Sequence, residues 1–231
     1  FLRHLFSLRP GTLEFDEQAR LFRAAVAGRW DLADLPRRET ERPPSGDGLF
    51  RNHPDTDPTL PSTRARVASV STRPFEPVHT PVTTTVEALD AEVAMARRAQ
   101  ESWGSCSAVE RRDVLCRVAD ELVARHDDLM VAMTHEASKT WAEADPEVGE
   151  AVDFARWYAE RASELERMEG AAFTPLGVVA VVSPWNFPVA IPTGGTLAAL
   201  AAGNAVVFKP APETPRCAEI VAEACWTAGV P

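Results

Sequence analysis

Two short apolar runs, Val178 to Val182 and Ala205 to Phe208, constrain this chain most. The first ends in Ser183-Pro184-Trp185-Asn186-Phe187-Pro188, the second in Lys209-Pro210. Runs of this length between turn residues read as buried strands. Residues from about Ile191 to Ala202 read as a helix, with Gly203-Asn204 as its left-handed cap. Thr214-Pro215 opens a further helix, which Ala228-Gly229 ends. The order β-α-β-α is the unit of a right-handed parallel sheet. In such a sheet ligands lie beyond the carboxyl ends of the strands, where both runs deliver a polar side chain.

The preceding region is helical. Val86, Leu89, Val93, Ala96 and Ala99 form an apolar face that starts at Thr85 and is closed by Trp103-Gly104. Ser107 and Glu110 have capping-box spacing, opening a helix with Val114, Leu115, Val118, Leu122 and Val123 inward. His126 to Lys139 gives a third helix, and Asp145-Pro146-Glu147 starts a fourth, with proline in the first turn. Residues 1 to about 30 carry helical spacing broken at Pro10-Gly11. Between them, Asp31 to Pro77 is rich in Pro, Asp, Arg, Ser and Thr and reads as an extended linker or wrapping arm.

The formal net charge of -10 repels phosphate backbones, which argues against a nucleic-acid partner. No uninterrupted apolar stretch is long enough to span a membrane, so membrane association is not expected. The four cysteines lack metal-site spacing, and no metal is expected. Cys217 and Cys225 lie two turns apart on one helix face and read as buried small hydrophobes in a reducing cytosol, which gives a cytoplasmic location. The five histidines are scattered and read as surface or capping residues. Glu136 and Lys139 read as a surface ion pair, and the tryptophans mostly as core or packing anchors. Phe1 in place of Met, with no signal peptide, reads as a fragment.

Asn186 is the strongest catalytic candidate. A carboxamide at the end of a buried strand, stiffened by Phe187-Pro188, is a neutral and rigid donor. It suits an oxygen that becomes negative during attack on an aldehyde. Lys209, at the end of the second strand, suits ribose hydroxyls or a phosphate. No GxGxxG is present, and Gly194-Gly195 reads as a helix-packing site.

The Ser-Pro-Trp-Asn-Phe-Pro segment and the Gly203-Asn204-Ala205-Val206-Val207-Phe208-Lys209-Pro210 segment together resemble the aldehyde dehydrogenase superfamily. The resemblance covers residues 85 to 231. It implies an α/β fold: the N-terminal part of an aldehyde dehydrogenase, a helical layer followed by the start of a Rossmann-like parallel sheet. It further implies that Asn186 is the oxyanion amide, that Ser183, Pro184 and Trp185 line an NAD cleft, and that Lys209 contacts the adenosine ribose or, with NADP, its phosphate. The family often has an acid three residues after this lysine. Here that position is Pro212 and the acid is Glu213. Either Glu213 takes the ribose from a shifted backbone or that contact is lost, so NADP stands as an alternative to NAD.

The family's nucleophilic cysteine and general-base glutamate lie downstream of the lysine segment, and none of the four cysteines stands in the nucleophile's context. The chain is therefore expected to be inactive alone, and the resemblance implies a homo-oligomer when full length. Phe1 to Phe6 resembles the tail of a proline dehydrogenase barrel. Phe50 to Asp57 with Leu60, Pro61 and Arg64 resembles the segment joining the halves of bifunctional proline-catabolic enzymes. This places residues 1–30 as a helical tail, 31–84 as an arm and 85–231 as the incomplete cofactor domain, with FAD confined to a barrel upstream. The implied substrate is L-glutamate γ-semialdehyde. An aldehyde dehydrogenase of other specificity, such as for succinate semialdehyde, and a non-catalytic binding module are the alternatives.

Overall fold

The computed structural model describes residues 9–28, 50–79 and 82–231. Expectations for Phe1 to Phe6, His4, Trp30 and Asp31 to Gly48 lie outside the described residues. The described chain forms two units, residues 9–28 with 57–65, and residues 50–56 with 66–79 and 82–231.

In the smaller unit, helix α1 (Leu13–Ala27) is capped by Thr12, whose hydroxyl accepts from the Phe15 N–H at 3.3 Å. The Asp57 carboxylate folds a tight turn, accepting from the Thr59 N–H at 2.9 Å and hydroxyl at 2.6 Å. That turn leads into helix α2 (Pro61–Val70), whose residues from Arg66 onward belong to the larger unit. The arm thus contains a helix where its composition suggested extended chain. Pro61 at the first helical position and the Asp57 turn are the start signals, overshadowed by the surrounding prolines.

In the larger unit four helices precede the sheet: α3 (Val86–Ser105), α4 (Ala108–Ala124), α5 (His126–Ala137) and α6 (Trp141–Leu165). The Ser107–Glu110 capping box forms as expected. Helix α3 runs through Trp103-Gly104 to Ser105 rather than ending there. Its inner face is covered from Val93 onward, whereas Val86 and Leu89 are exposed. Val123 is also exposed. Helix α6 starts earlier than Asp145-Pro146 suggested. Thr140 and Glu143 make a capping box, and Pro146 sits at the sixth helical position. So near the start, proline removes one backbone bond without ending the helix.

The core joins Leu115, Val118 and Leu122 of α4, Leu129 and Met133 of α5, and Val148, Val152 and Ala155 of α6. Strands β1 (Val178–Val182) and β2 (Ala205–Lys209) pair in parallel, Val178 opposite Ala205 and Val182 opposite Lys209. Helix α7 (Ala190–Ala201) makes the crossover, and α8 (Pro215–Ala228) follows β2. Gly194 and Gly195 lie at close approaches between α7 and its neighbours. A Cβ on Gly194 would lie 3.1 Å from two Phe154 ring atoms, and one on Gly195 3.2 Å from Val181 Cγ1.

Helix α7 is held at its C-terminal end by the helical layer. The Trp103 indole N–H donates to the Leu200 carbonyl at 2.9 Å, and Arg111 Nε to the Ala201 carbonyl at 3.0 Å. Gly203 turns the chain at φ +80°, and the Asn204 amide ties Gly177 to the Ala199 carbonyl at 3.0 and 3.1 Å. The terminal carbonyls of the helix are thereby satisfied.

Candidate active site

The register pairs Val182 with Lys209, so both strands end level and release their loops at one edge. From β1 emerges Ser183, buried, followed by exposed Pro184, Trp185, Asn186 and Phe187. From β2 emerge exposed Lys209 and, four residues later on the turn before α8, exposed Glu213. Ser183 and Lys209 therefore stand at the same strand ends, and Asn186 lies at the entry to α7. Lys209 and Glu213 make no ion pair among the described residues.

The Asn186 carboxamide has no hydrogen-bond partner among the described residues and faces solvent. A helix-capping role would consume its oxygen in the first turn of α7, and no such bond exists. The cap comes instead from Glu147 on α6. Its Oε1 accepts from the Val189 N–H at 2.7 Å and the Ala190 N–H at 3.1 Å. Lys139 Nζ pairs with the other carboxylate oxygen and lies 4.1 Å from the centroid of the Phe187 ring. Lys139 therefore belongs to Glu147, not to a surface pair with Glu136. Glu136 caps α8, accepting from the Arg216 and Cys217 N–H groups at 2.9 and 3.0 Å. Sequence reading missed Glu147. Its signal was a carboxylate in the apolar stripe Ala144, Val148, Ala151, Val152.

Among the described residues the buried Ser183 hydroxyl has no hydrogen-bond partner. An orphaned hydroxyl and a free ammonium at strand ends fit a dinucleotide's hydroxyls and phosphate.

The thiols point away from catalysis. Burial pushes Cys217 up strongly and Cys225 up to about 12, and burial with Glu160 raises Cys116. A nucleophilic thiol needs the opposite shift. Cys106 caps α3, and its carbonyl accepts from Arg111, the same guanidinium that holds the C-terminal end of α7. That end lies a helix length, roughly 18 Å, from the N-terminal end of α7, where the loop carrying Asn186 enters.

Two other expectations change. His126 is buried rather than superficial, with Nε2 2.8 Å from Asp145 Oδ1 and Nδ1 2.8 Å from Arg66. Trp103 is a core residue, but Trp157 and Trp226 are exposed. Among the described residues no cluster suits a metal ion, and no helix is long and apolar enough to cross a membrane.

Residues 61–231 match the aldehyde dehydrogenase family along their whole length. The chain belongs to the aldehyde dehydrogenase family. A 1-pyrroline-5-carboxylate dehydrogenase from Geobacillus is 40% identical over 153 residues, which are 61% of this chain and 30% of that protein. Among solved structures, proline utilization A from Corynebacterium freiburgense superposes with a TM-score of 0.73 at 43% identity, covering 94% of this chain and 21% of that one. The Thermus 1-pyrroline-5-carboxylate dehydrogenase with bound NAD also gives 0.73, at 25% identity, covering 81% of this chain and 44% of that one. The chain thus spans about a third of the length of the curated relatives that it matches. Within the aldehyde dehydrogenase fold it supplies a helical layer and two adjacent parallel strands.

Proposed function

We propose that this chain supplies the oxyanion and cofactor-edge segment of an NAD-dependent dehydrogenase that oxidises L-glutamate γ-semialdehyde to glutamate. The observation that carries this is the exposed Asn186 carboxamide between β1 and α7, without a hydrogen-bond partner among the described residues, beside a buried carboxylate that fixes the next helix. A neutral amide held in place stabilises the oxygen of a tetrahedral centre without reorganising as charge develops. Ser183 and Lys209 bind the dinucleotide at the paired strand ends, with Trp185 and Pro184 walling the cleft. Glu213 is the candidate ribose acid. Bound NAD supplies the hydride acceptor.

Attack on the aldehyde requires a thiolate and a base. The family resemblance puts those groups outside this segment, and the upward shifts of Cys116, Cys217 and Cys225 agree with that reading for the thiols. The substrate reading is supported by the names of the relatives and by the resemblance of Phe50 to Asp57 to the joining segment of proline-catabolic enzymes. The test is NADH formation by the protein of the complete reading frame with glutamate γ-semialdehyde and succinate semialdehyde. A higher kcat/KM for glutamate semialdehyde is expected; preference for succinate semialdehyde would overturn the substrate assignment.

A further inference from the structure

Two groups outside the expected site converge on the segment that carries Asn186. Glu147 is 2% exposed, deep in α6, and spends both carboxylate oxygens on this segment's surroundings. One oxygen receives the Val189 and Ala190 N–H groups. The other receives Lys139 Nζ from the turn between α5 and α6. The Lys139 ammonium in turn covers the Phe187 ring, one residue beyond Asn186.

We infer that Glu147 and Lys139 are positioning residues that set the direction of the Asn186 carboxamide. The inference rests on the oxyanion reading of Asn186. Residues 187, 189 and 190 are each fixed by this pair, and Pro188 between them has a restricted φ. The chain leaving Asn186 therefore has little freedom to rotate. Asn186 makes no hydrogen bond of its own among the described residues, so its orientation depends on the chain that carries it. Val189, at the N-cap of α7, offers no side-chain cap, and Glu147 fills that role from another helix. The positive end of α7 and the Lys139 ammonium together compensate a carboxylate removed from water. A hydrophobic residue would pack the same space. A charged pair fixes directions that packing alone leaves soft.

The test is a double-mutant cycle between Glu147→Gln and Asn186→Ala in the enzyme of the complete reading frame. Glutamine keeps an acceptor for the two N–H groups but turns a donor toward Lys139. Glu147→Gln is expected to lower kcat about tenfold at unchanged KM for NAD. In the Asn186→Ala background the same change is expected to move kcat by less than about twofold, because the group it positions is gone. An equal loss in both backgrounds means that Glu147 acts on overall structure and overturns the inference. No loss from Glu147→Gln, where Asn186→Ala alone is severe, overturns the inference and leaves the oxyanion reading standing. No loss from Asn186→Ala overturns both.

If Glu147→Gln does not give soluble protein, the paired Lys139→Met/Glu147→Gln variant carries the cycle, since it removes both buried charges together. The paired variant is expected to lower kcat only when Asn186 is present. The reverse pattern overturns the inference.

Discussion

At the residue scale, the placement of Lys209 at a strand end and of Gly203 just past a helix end was legible in the sequence, because strand and helix ends give particular residue types local tasks. Gly203 has φ +80°, and an added Cβ would lie 2.9 Å from Pro175 Cγ. Gly203→Ala is expected to cost about 1–3 kcal/mol, read as a lower melting temperature of the complete enzyme. An unchanged melting temperature would show that this turn relaxes. Glu147 was not legible because its partners are 42 and 43 residues away. A sequence shows that a charge sits in an apolar stripe, not which backbone groups meet it. For the same reason Lys139 was paired with its helix neighbour rather than with the carboxylate eight positions on.

At the element scale, the helices with regular apolar spacing were legible, and α6, whose start was misplaced, had a competing signal. Asp145-Pro146 resembles a helix start, but Thr140 and Glu143 already make one. The real work of Asp145 is to hold the arm. It accepts from the Thr56 N–H at 2.7 Å, from the Thr56 hydroxyl and from His126. Asp153 likewise holds the His53 N–H at 2.6 Å and Asn52 Nδ2 at 2.7 Å. Burial works to raise the Asp145 carboxyl, and the bonds from His126 and Thr56 outweigh it, leaving it below the ordinary carboxylate range. A carboxyl depressed in the folded state stabilises above its unfolded pKa, and that contribution is lost as pH falls through the folded value. The arm at Thr56 is therefore expected to stay protected from hydrogen exchange at neutral pH and to open in acid. Asp145→Asn is expected to open it already at neutral pH. Equal protection of the Thr56 amide in parent and variant at pH 7 would contradict this.

At the scale of the whole molecule, the parallel order of the two strands was legible from alternating apolar runs and helices. The coverage by neighbours was not. Leu176 and Val182 are 89% and 68% exposed, beside a sheet that has two strands among the described residues. Periodicity tells which face is apolar, and only the folded context tells what covers it. The 231-residue chain, given NAD and glutamate semialdehyde, is expected to form no NADH, because burial raises three of its four thiols and the fourth caps a helix far from Asn186. Turnover by that chain would mean that one of these thiols is the nucleophile.

The most direct measurement is the kcat of Asn186→Ala against the parent in the complete enzyme, at saturating NAD and aldehyde. A fall of about 10²–10³-fold with an unchanged melting temperature is the predicted result. A kcat within about twofold of the parent would mean that the developing oxyanion is held by other groups, and the account would be wrong at its centre.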